Sequence, residues 1–344
     1  MMPSTERPSS FLKSLSLEGV KYTLGMKKIH SVLCSQSLCA FSLILIIVTF
    51  TLISAFSATA TAQKLAITLD DLPLNGLLPP GVTRVETTKN VLEILKKRHV
   101  PPVYGFINAK KLEGNEDGAE ALKVWAAAEP FGNHTYAHMD LEQNPPEAFE
   151  REIDENEPVF ELLSGESNDI WHWFRYPYLH EGDTVEKRRA VRAYLKAHGY
   201  RIAQVTLDWE DYLWNTAYAR CVAKGDKQSI EWLHSSYLST ASEFLDLGRE
   251  QAKLIYGRDI NYVLLMHLGA YSSTILPDAL DLLRKKGFKL VTLEEAESDV
   301  AYESDPDIGL HDAGTLLDQM MQVKGIKYPE HAEKPYKQIE SICQ

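Results

Sequence analysis

The sequence predicts an α/β protein built on a parallel sheet, and two observations carry that reading. Seven short apolar segments alternate with stretches of helical periodicity from Lys64 onward, the signature of strand–helix–strand repeats. Ionisable residues then recur at the ends of those segments, where parallel sheets and barrels collect their functional groups. The strands fall at Leu65–Leu69, Val103–Ile107, Phe131–Asn133, Trp171–Arg175, Arg201–Thr206, Tyr262–Met266 and Lys289–Val291. After the first, Val85–Val100 places Val85, Thr88, Val91, Leu92 and Leu95 at helical spacing. Before the seventh, Ala279–Lys286 carries Leu280, Leu282 and Leu283 until Gly287 ends the helix. One interval breaks the alternation: Glu210–Asn261 reads as wholly helical, with Ile230, Leu233, Tyr237, Leu238, Ala241, Phe244 and Leu245 on one stripe. It is expected to be an inserted cap that packs its stripe into the core, covers part of a cleft and favours short substrates. Past Glu297 the chain is rich in Asp, Glu, Gly and Pro, so 301–344 is expected to be an extension wrapped around the edge of a domain spanning 63–300.

Ahead of the first strand, Phe41–Phe56 is an apolar run preceded by Lys27 and Lys28 and followed by Ala58, Ala60 and Ala62. That is the order of a secretory signal, with cleavage expected after Ala62 and Met26 as the more natural start. The expected location is therefore secreted or envelope-facing, without stable membrane insertion; an uncleaved anchor is the alternative. Net charge is −12 although residues 1–62 are themselves net basic, so the body is strongly acidic and would be repelled by nucleic acid and by anionic membranes. Cys34 and Cys39 fall in the leader, leaving Cys221 and Cys343, which are free to pair in an oxidising compartment. The chain has no GxGxxG, no GK[ST] phosphate loop and no GxSxG elbow, so the common nucleotide and serine-hydrolase readings lose their usual support.

The strand ends carry the chemistry. Asp70 and Asp71 follow the first strand, His134 the third, Arg175 ends the fourth, Asp208 follows the fifth and His267 ends the sixth. His134 and His138 stand at i and i+4, a spacing that on a helical turn lets two imidazoles grip one cation. Adjacent carboxylates at a strand end are costly unless a cation or a catalytic task uses them.

Five segments, Thr68-Leu69-Asp70-Asp71-Leu72-Pro73, His134–His138, Arg175-Tyr176-Pro177-Tyr178, Leu207-Asp208-Trp209 and Leu264-Leu265-Met266-His267, occur in an order that resembles the NodB-type polysaccharide deacetylases, carbohydrate esterase family four. The likeness runs from about Lys64 to Ala296. It implies a distorted (β/α)7-type barrel with the helical insertion between its fifth and sixth strands. It implies also a metal-dependent hydrolase that removes N-acetyl or O-acetyl groups from a carbohydrate. By the same resemblance Asp71, His134 and His138 would hold a divalent metal, usually Zn2+, and Asp70 would be the general base, paired to Arg175. The backbone N–H of Tyr178 would hold the developing oxyanion, His267 would protonate the leaving atom, and Trp209 would wall the acetyl or sugar site. A water between a cation and a carboxylate is a nucleophile at neutral pH, which suits this division.

Leu69 and Leu72 stand where the family often has Phe and Gly, which reshapes the cleft. Val205 stands where it often has an acid. Either Asp208 or another carboxylate then serves His267, or that histidine titrates near its ordinary value and esters are cleaved as readily as amides. Two competing functions remain: an inactive carbohydrate-binding relic of the same fold, and a non-haem iron oxygenase with a two-His-one-carboxylate site. The latter's short His-x-Asp spacing is absent. Asn133-His134-Thr135 also matches the N-glycosylation pattern, but the metal motif explains it better.

Overall fold

The computed structural model describes residues 62–164 and 172–344. The apolar run Phe41–Phe56 and the proposed strand start at Trp171 lie outside them. In chain order the strands are β1 (Gln63–Asn75), β2 (Tyr104–Ile107), β3 (Phe131–Asn133), β4 (Trp173–Phe174), β5 (Arg201–Ile202), β6 (Tyr262–Gly269) and β7 (Phe288–Leu290). Helices α1 (Arg84–Lys97), α2 (Glu116–Ala126), α3 (Pro146–Ser164) and α4 (Val185–Ala197) connect the first five strands. Helices α5 (Tyr212–Lys224) and α6 (Lys227–Tyr256) form the insertion, and α7 (Ser272–Lys285) joins β6 to β7. After these come α8 (Leu293–Ala296), α9 (Leu316–Val323) and α10 (Tyr336–Ser341).

All pairings are parallel, in the order β5-β4-β3-β2-β1-β6, with β7 against the start of β1. The sheet then meets itself. Leu207 is bridged to Leu264 of β6, and the N–H groups of Thr206 and Leu207 donate to Val263 O. The segment expected as one strand over 201–206 thus serves both edges: its first two residues pair with β4 and its end crosses to β6. The result is the distorted seven-stranded barrel. Side chains alternate between its faces at the period of a strand. Ala66, Phe106, Trp173, Ala203 and Val263 fill a small inner cluster with Leu293 and Ala296 of α8, while Leu65, Ile67, Leu69, Ile107, Phe174 and Leu264 join the main core. Gly132 is required on the inner face, since a Cβ there would lie 2.7 Å from Phe106 and from the carbonyl oxygen of Trp173.

Capping fixes the helix starts. Thr83, Thr184 and Asp226 accept from the backbone N–H three residues on, and Thr315 and Asp318 form a reciprocal box. The insertion is helical throughout but split in two, because Gly225 takes a left-handed φ of 67° that ends α5. Leu233, Tyr237, Ala241 and Leu245 of its stripe are fully buried, as expected for core packing. Helix α7 starts at Ser272, seven residues ahead of the sequence expectation, and contains Pro277. A proline this early forfeits one backbone bond, and buried Ile275, Leu276, Ala279, Leu280 and Leu283 hold the helix in place.

The C-terminal extension is fastened to the insertion. Cys221 of α5 is disulfide-bonded to Cys343 across 122 residues of chain, and the Arg220 guanidinium donates to the carbonyls of Ile339, Glu340 and Ile342. A cross-link closing so long a loop restricts the unfolded chain most. Cys343→Ala is expected to lower unfolding free energy by about 2–5 kcal/mol, read from denaturant melts with and without reductant. Reductant should destabilise the parent protein and leave the variant unmoved.

Candidate active site

The carboxyl ends of the strands open into a cleft of 700 Å³ lined by Asp70, Asp71, His134, His138, Tyr178 and His267, with Lys111, Asp208, Glu210, Tyr212 and Asp312 at its edges. Backbone strain concentrates here. Asp71, His138, Tyr178, Leu179 and Glu210 all line the cleft with φ between 59° and 71°, conformations that cost non-glycine residues energy and persist where the surroundings enforce them.

Asp70 continues the inward alternation of Ala66 and Thr68 and is almost fully buried. The Arg175 guanidinium holds both its oxygens at 3.1–3.2 Å. The same guanidinium donates to Ala203 O and Thr68 Oγ1 and lies 4.7 Å over the Phe106 ring. Burial nevertheless outweighs the opposing charges of Arg175 and His267, and the Asp70 carboxyl is pushed up to about 6. Asp71 behaves oppositely. Burial works against its charge, but the Lys111 ammonium and the nearby imidazoles hold it far below the usual carboxylate range.

His134 and His138 do come together, but not on a helix. Thr135 and His138 adopt left-handed φ of 62° and 59°, so the five-residue motif is an irregular loop. Neighbours stitch it in place: Asn108 Nδ2 donates to the carbonyls of His134 and Thr135, Thr135 N–H to Asn133 Oδ1, and Ala137 N–H to Glu152. The two imidazoles of the i,i+4 pair are thus brought together by loop geometry and not by a helical turn. Asn133 is itself fully buried, donating to Ile153 O and Tyr200, and is inaccessible to a glycan.

Asp71, His134 and His138 present one ligand atom each within 4.8 Å of one another. The set fits a divalent cation. His134 Nδ1 faces the Arg175 carbonyl at 2.8 Å, which leaves Nε2 directed at the carboxylates. Asp71 Oδ2 accepts from Asn75 at 2.8 Å, while Oδ1 is turned toward the two imidazoles and forms an ion pair with the Lys111 ammonium at 3.0 Å. Burial holds the His134 imidazole well below its ordinary range and brings His138 down to about 4, so both are neutral at pH 7, as ligation requires.

Across the cleft His267 stands beside Asp70 in the β1–β6 register. Val205 is buried and leaves its partner's place empty, but Asp211 fills the need. Its Oδ1 lies 2.7 Å from His267 Nδ1 and its Oδ2 accepts from the His267 backbone N–H. Although burial disfavours the charge, Asp211 raises His267 to about 9. The carboxylate beside His267 is thus Asp211, the N-cap residue of α5, and not a residue at position 205, so the expectation of ester preference loses its premise. Tyr212 packs edge-on to the same imidazole at 5.3 Å.

Tyr178, in the 3-10 turn Pro177–Leu179, is 57 % exposed and packs edge-on to His138 at 4.4 Å. Trp209 is the correction. It is 1 % exposed, lies edge-on to Tyr237 and takes no part in lining the cleft, because Asp208 faces the opening and the next residue points the other way. The insertion reaches the cleft only through Glu210 and Tyr212; the rest of that rim comes from the C-terminal extension, through Asp312 and Gly314. Glu142, His180 and Asp312 cluster there and bind that extension to the barrel.

Sequence reasoning missed Lys111, Asn75 and Asp211. Lys111 lies in the turn that follows β2. Asp211 is the last acid of the run Asp208-Trp209-Glu210-Asp211.

The family described as polysaccharide deacetylase matches residues 57–203. No curated protein matches the chain. Solved structures that resemble it include the chitin deacetylase of the fungal pathogen Colletotrichum lindemuthianum, 20 % identical, covering 69 % of this chain and 88 % of that one, with a TM-score of 0.46. Another is a family 4 carbohydrate esterase from Streptomyces lividans in complex with acetate, 16 % identical over 69 % and 97 %, TM-score 0.43. A third is a CE4 family pseudoenzyme from Bacillus anthracis, 16 % identical over 69 % and 66 %, TM-score 0.45.

Proposed function

We propose, for a chain whose residues 57–203 match the polysaccharide deacetylase family, an active, exported, metal-dependent hydrolase that removes acetyl groups from amino sugars of a glycan. The observation that carries this reading is the pairing of two differently tuned groups beside one ligand set. Asp70, gripped by Arg175, and His267, gripped by Asp211, are register neighbours on β1 and β6. An inert carbohydrate-binding relic has no use for either arrangement.

The two-imidazole, one-carboxylate set of Asp71, His134 and His138 suits zinc. A divalent ion held there would polarise an acetyl carbonyl and lower the pKa of a water. Asp70, whose Oδ2 lies 3.7 Å from His134 Nε2, is placed to take the proton of an attacking water at this ligand set, and Arg175 fixes its direction. Tyr178 offers a backbone N–H on the cleft rim, where a carbonyl oxygen gaining negative charge would be stabilised. His267 gives a proton to the departing atom. An amide nitrogen must be protonated as it leaves, and the Asp211 carboxylate keeps the imidazolium available at neutral pH, which favours N-acetyl over O-acetyl substrates. The test is acetate release from a panel of N- and O-acetylated glycans with and without chelator. Release that is chelator-sensitive and fastest on N-acetyl sugars is expected; no release from any of them would overturn the reading.

Export rests on the leader and on the Cys221–Cys343 bond, since disulfides persist in oxidising compartments. The mature protein is expected to begin at Gln63, as read by mass spectrometry of envelope and medium fractions. A chain retaining Phe41–Phe56 would be anchored instead.

A further inference from the structure

Lys111 lies in the 3-10 turn Ala109–Leu112 that follows β2. Its Nζ is 3.0 Å from Asp71 Oδ1 and donates to the backbone carbonyls of Asp71 and Leu74 at 3.2 and 3.4 Å. Oδ1 is the atom that matters for a cation. It is the Asp71 oxygen 3.6 Å from His138 Nε2 and 4.0 Å from His134 Nε2, whereas Oδ2 is already taken by Asn75. A resident ammonium and an incoming divalent ion therefore want the same oxygen.

We propose that Lys111 is a built-in competitor of the metal: it neutralises Asp71 in the metal-free protein and weakens the site's grip on the divalent ion. The inference rests on the reading of Asp71, His134 and His138 as metal ligands. Without Lys111, the buried Arg175 guanidinium would still pair with Asp70 but no cation would touch Asp71 in the metal-free cleft, and an unpaired buried charge is strongly destabilising. Lys111 thus preserves a formed, vacant ligand set. When the ion binds, the two carbonyl contacts do not depend on Oδ1, so the ammonium stays within a few ångströms of the doubly charged ion. A unit charge about 5 Å from a divalent one, even screened as in water, weakens binding by roughly tenfold. The lysine also lowers Asp71 more than any other single charge, which agrees with its place as that carboxylate's main counter-ion.

The experiment is zinc titration of the full, chelator-stripped protein by competition with a chromogenic chelator, beside thermal melting of the metal-free form. Lys111→Met is expected to bind zinc about tenfold or more tightly and to melt lower when metal-free, whereas Lys111→Arg, keeping the charge, should bind as the parent does. Unchanged or weaker zinc binding by a folded Lys111→Met protein would overturn the proposal and leave the metal site standing. Failure of the parent protein to bind zinc would instead overturn the site. Should Lys111→Met not fold, amine-acylation rates at Lys111 in the parent, read by mass spectrometry, decide the question. Zinc is expected to accelerate modification severalfold by releasing the ammonium from Oδ1, and an unchanged or slower rate would sink the idea.

Discussion

Asp70→Asn is expected to lower kcat by about 10²–10⁴-fold, the usual worth of a general base, while zinc stoichiometry stays at that of the parent protein. The two acids are adjacent in sequence but differ in what surrounds them. Asp70 is claimed by Arg175, with both carboxylate oxygens within 3.2 Å of its Nη1, and an asparagine keeps the volume and one acceptor for that contact. It loses the capacity to take a proton and the negative charge opposite Arg175, so some stability goes with the rate. Asp71 instead turns Oδ1 toward His134 and His138, so Asp71→Asn, His134→Ala and His138→Ala should lose metal and activity together. Metal content measured beside kcat separates the two roles. If Asp70→Asn were to lose the metal while Asp71→Asn kept it, the division of the pair would be reversed.

The gathering of polar groups at one end of the sheet was legible in the sequence because strand ends are where a parallel sheet places them, whereas the division of roles between Asp70 and Asp71 was implied only by the family resemblance. Asp70, Asp71, His134, Arg175 and His267 each sit one or two residues past an apolar run, and the barrel carries four of them to one opening with Arg175 buried behind Asp70. Trp209 was not legible in this way. Whether a residue beside Asp208 faces cleft or core depends on the phase of a short irregular segment, and the hydrophobic pattern of one tryptophan does not give that phase. The His134–His138 loop shows a related limit: its left-handed residues are imposed by tertiary bonds from Asn108, Asn133 and Glu152, which no local propensity encodes. Asp211 was obscured by its setting. It belongs to the insertion, beyond the residues that match the family, and only the packing of α5 against β6 brings its carboxylate to His267.

Asp211→Asn should reveal what that carboxylate does, and the pH profile is where to look. The His267 imidazolium is the donor, so activity should hold while the ring stays protonated and fall as pH rises through about 9. In the variant the largest opposing charge is gone while burial remains, and only Asp71 and Asp70 still favour the charged ring. The basic limb is therefore expected to move down from about 9 toward the ordinary histidine value of about 6.5, costing about tenfold in kcat/KM at pH 8. N-acetyl substrates should lose more than O-acetyl ones, because an ester oxygen leaves with a weaker donor. Stability should follow the same linkage. A histidine whose folded pKa is raised stabilises the fold fully below its unfolded value, and that contribution is lost as pH climbs through the folded one. The gap in Tm between parent and variant should thus be widest near pH 6 and close above about pH 9. A merely structural ion pair would shift Tm without moving the basic limb of kcat/KM. An unmoved limb in Asp211→Asn would show that His267 takes its charge from another group.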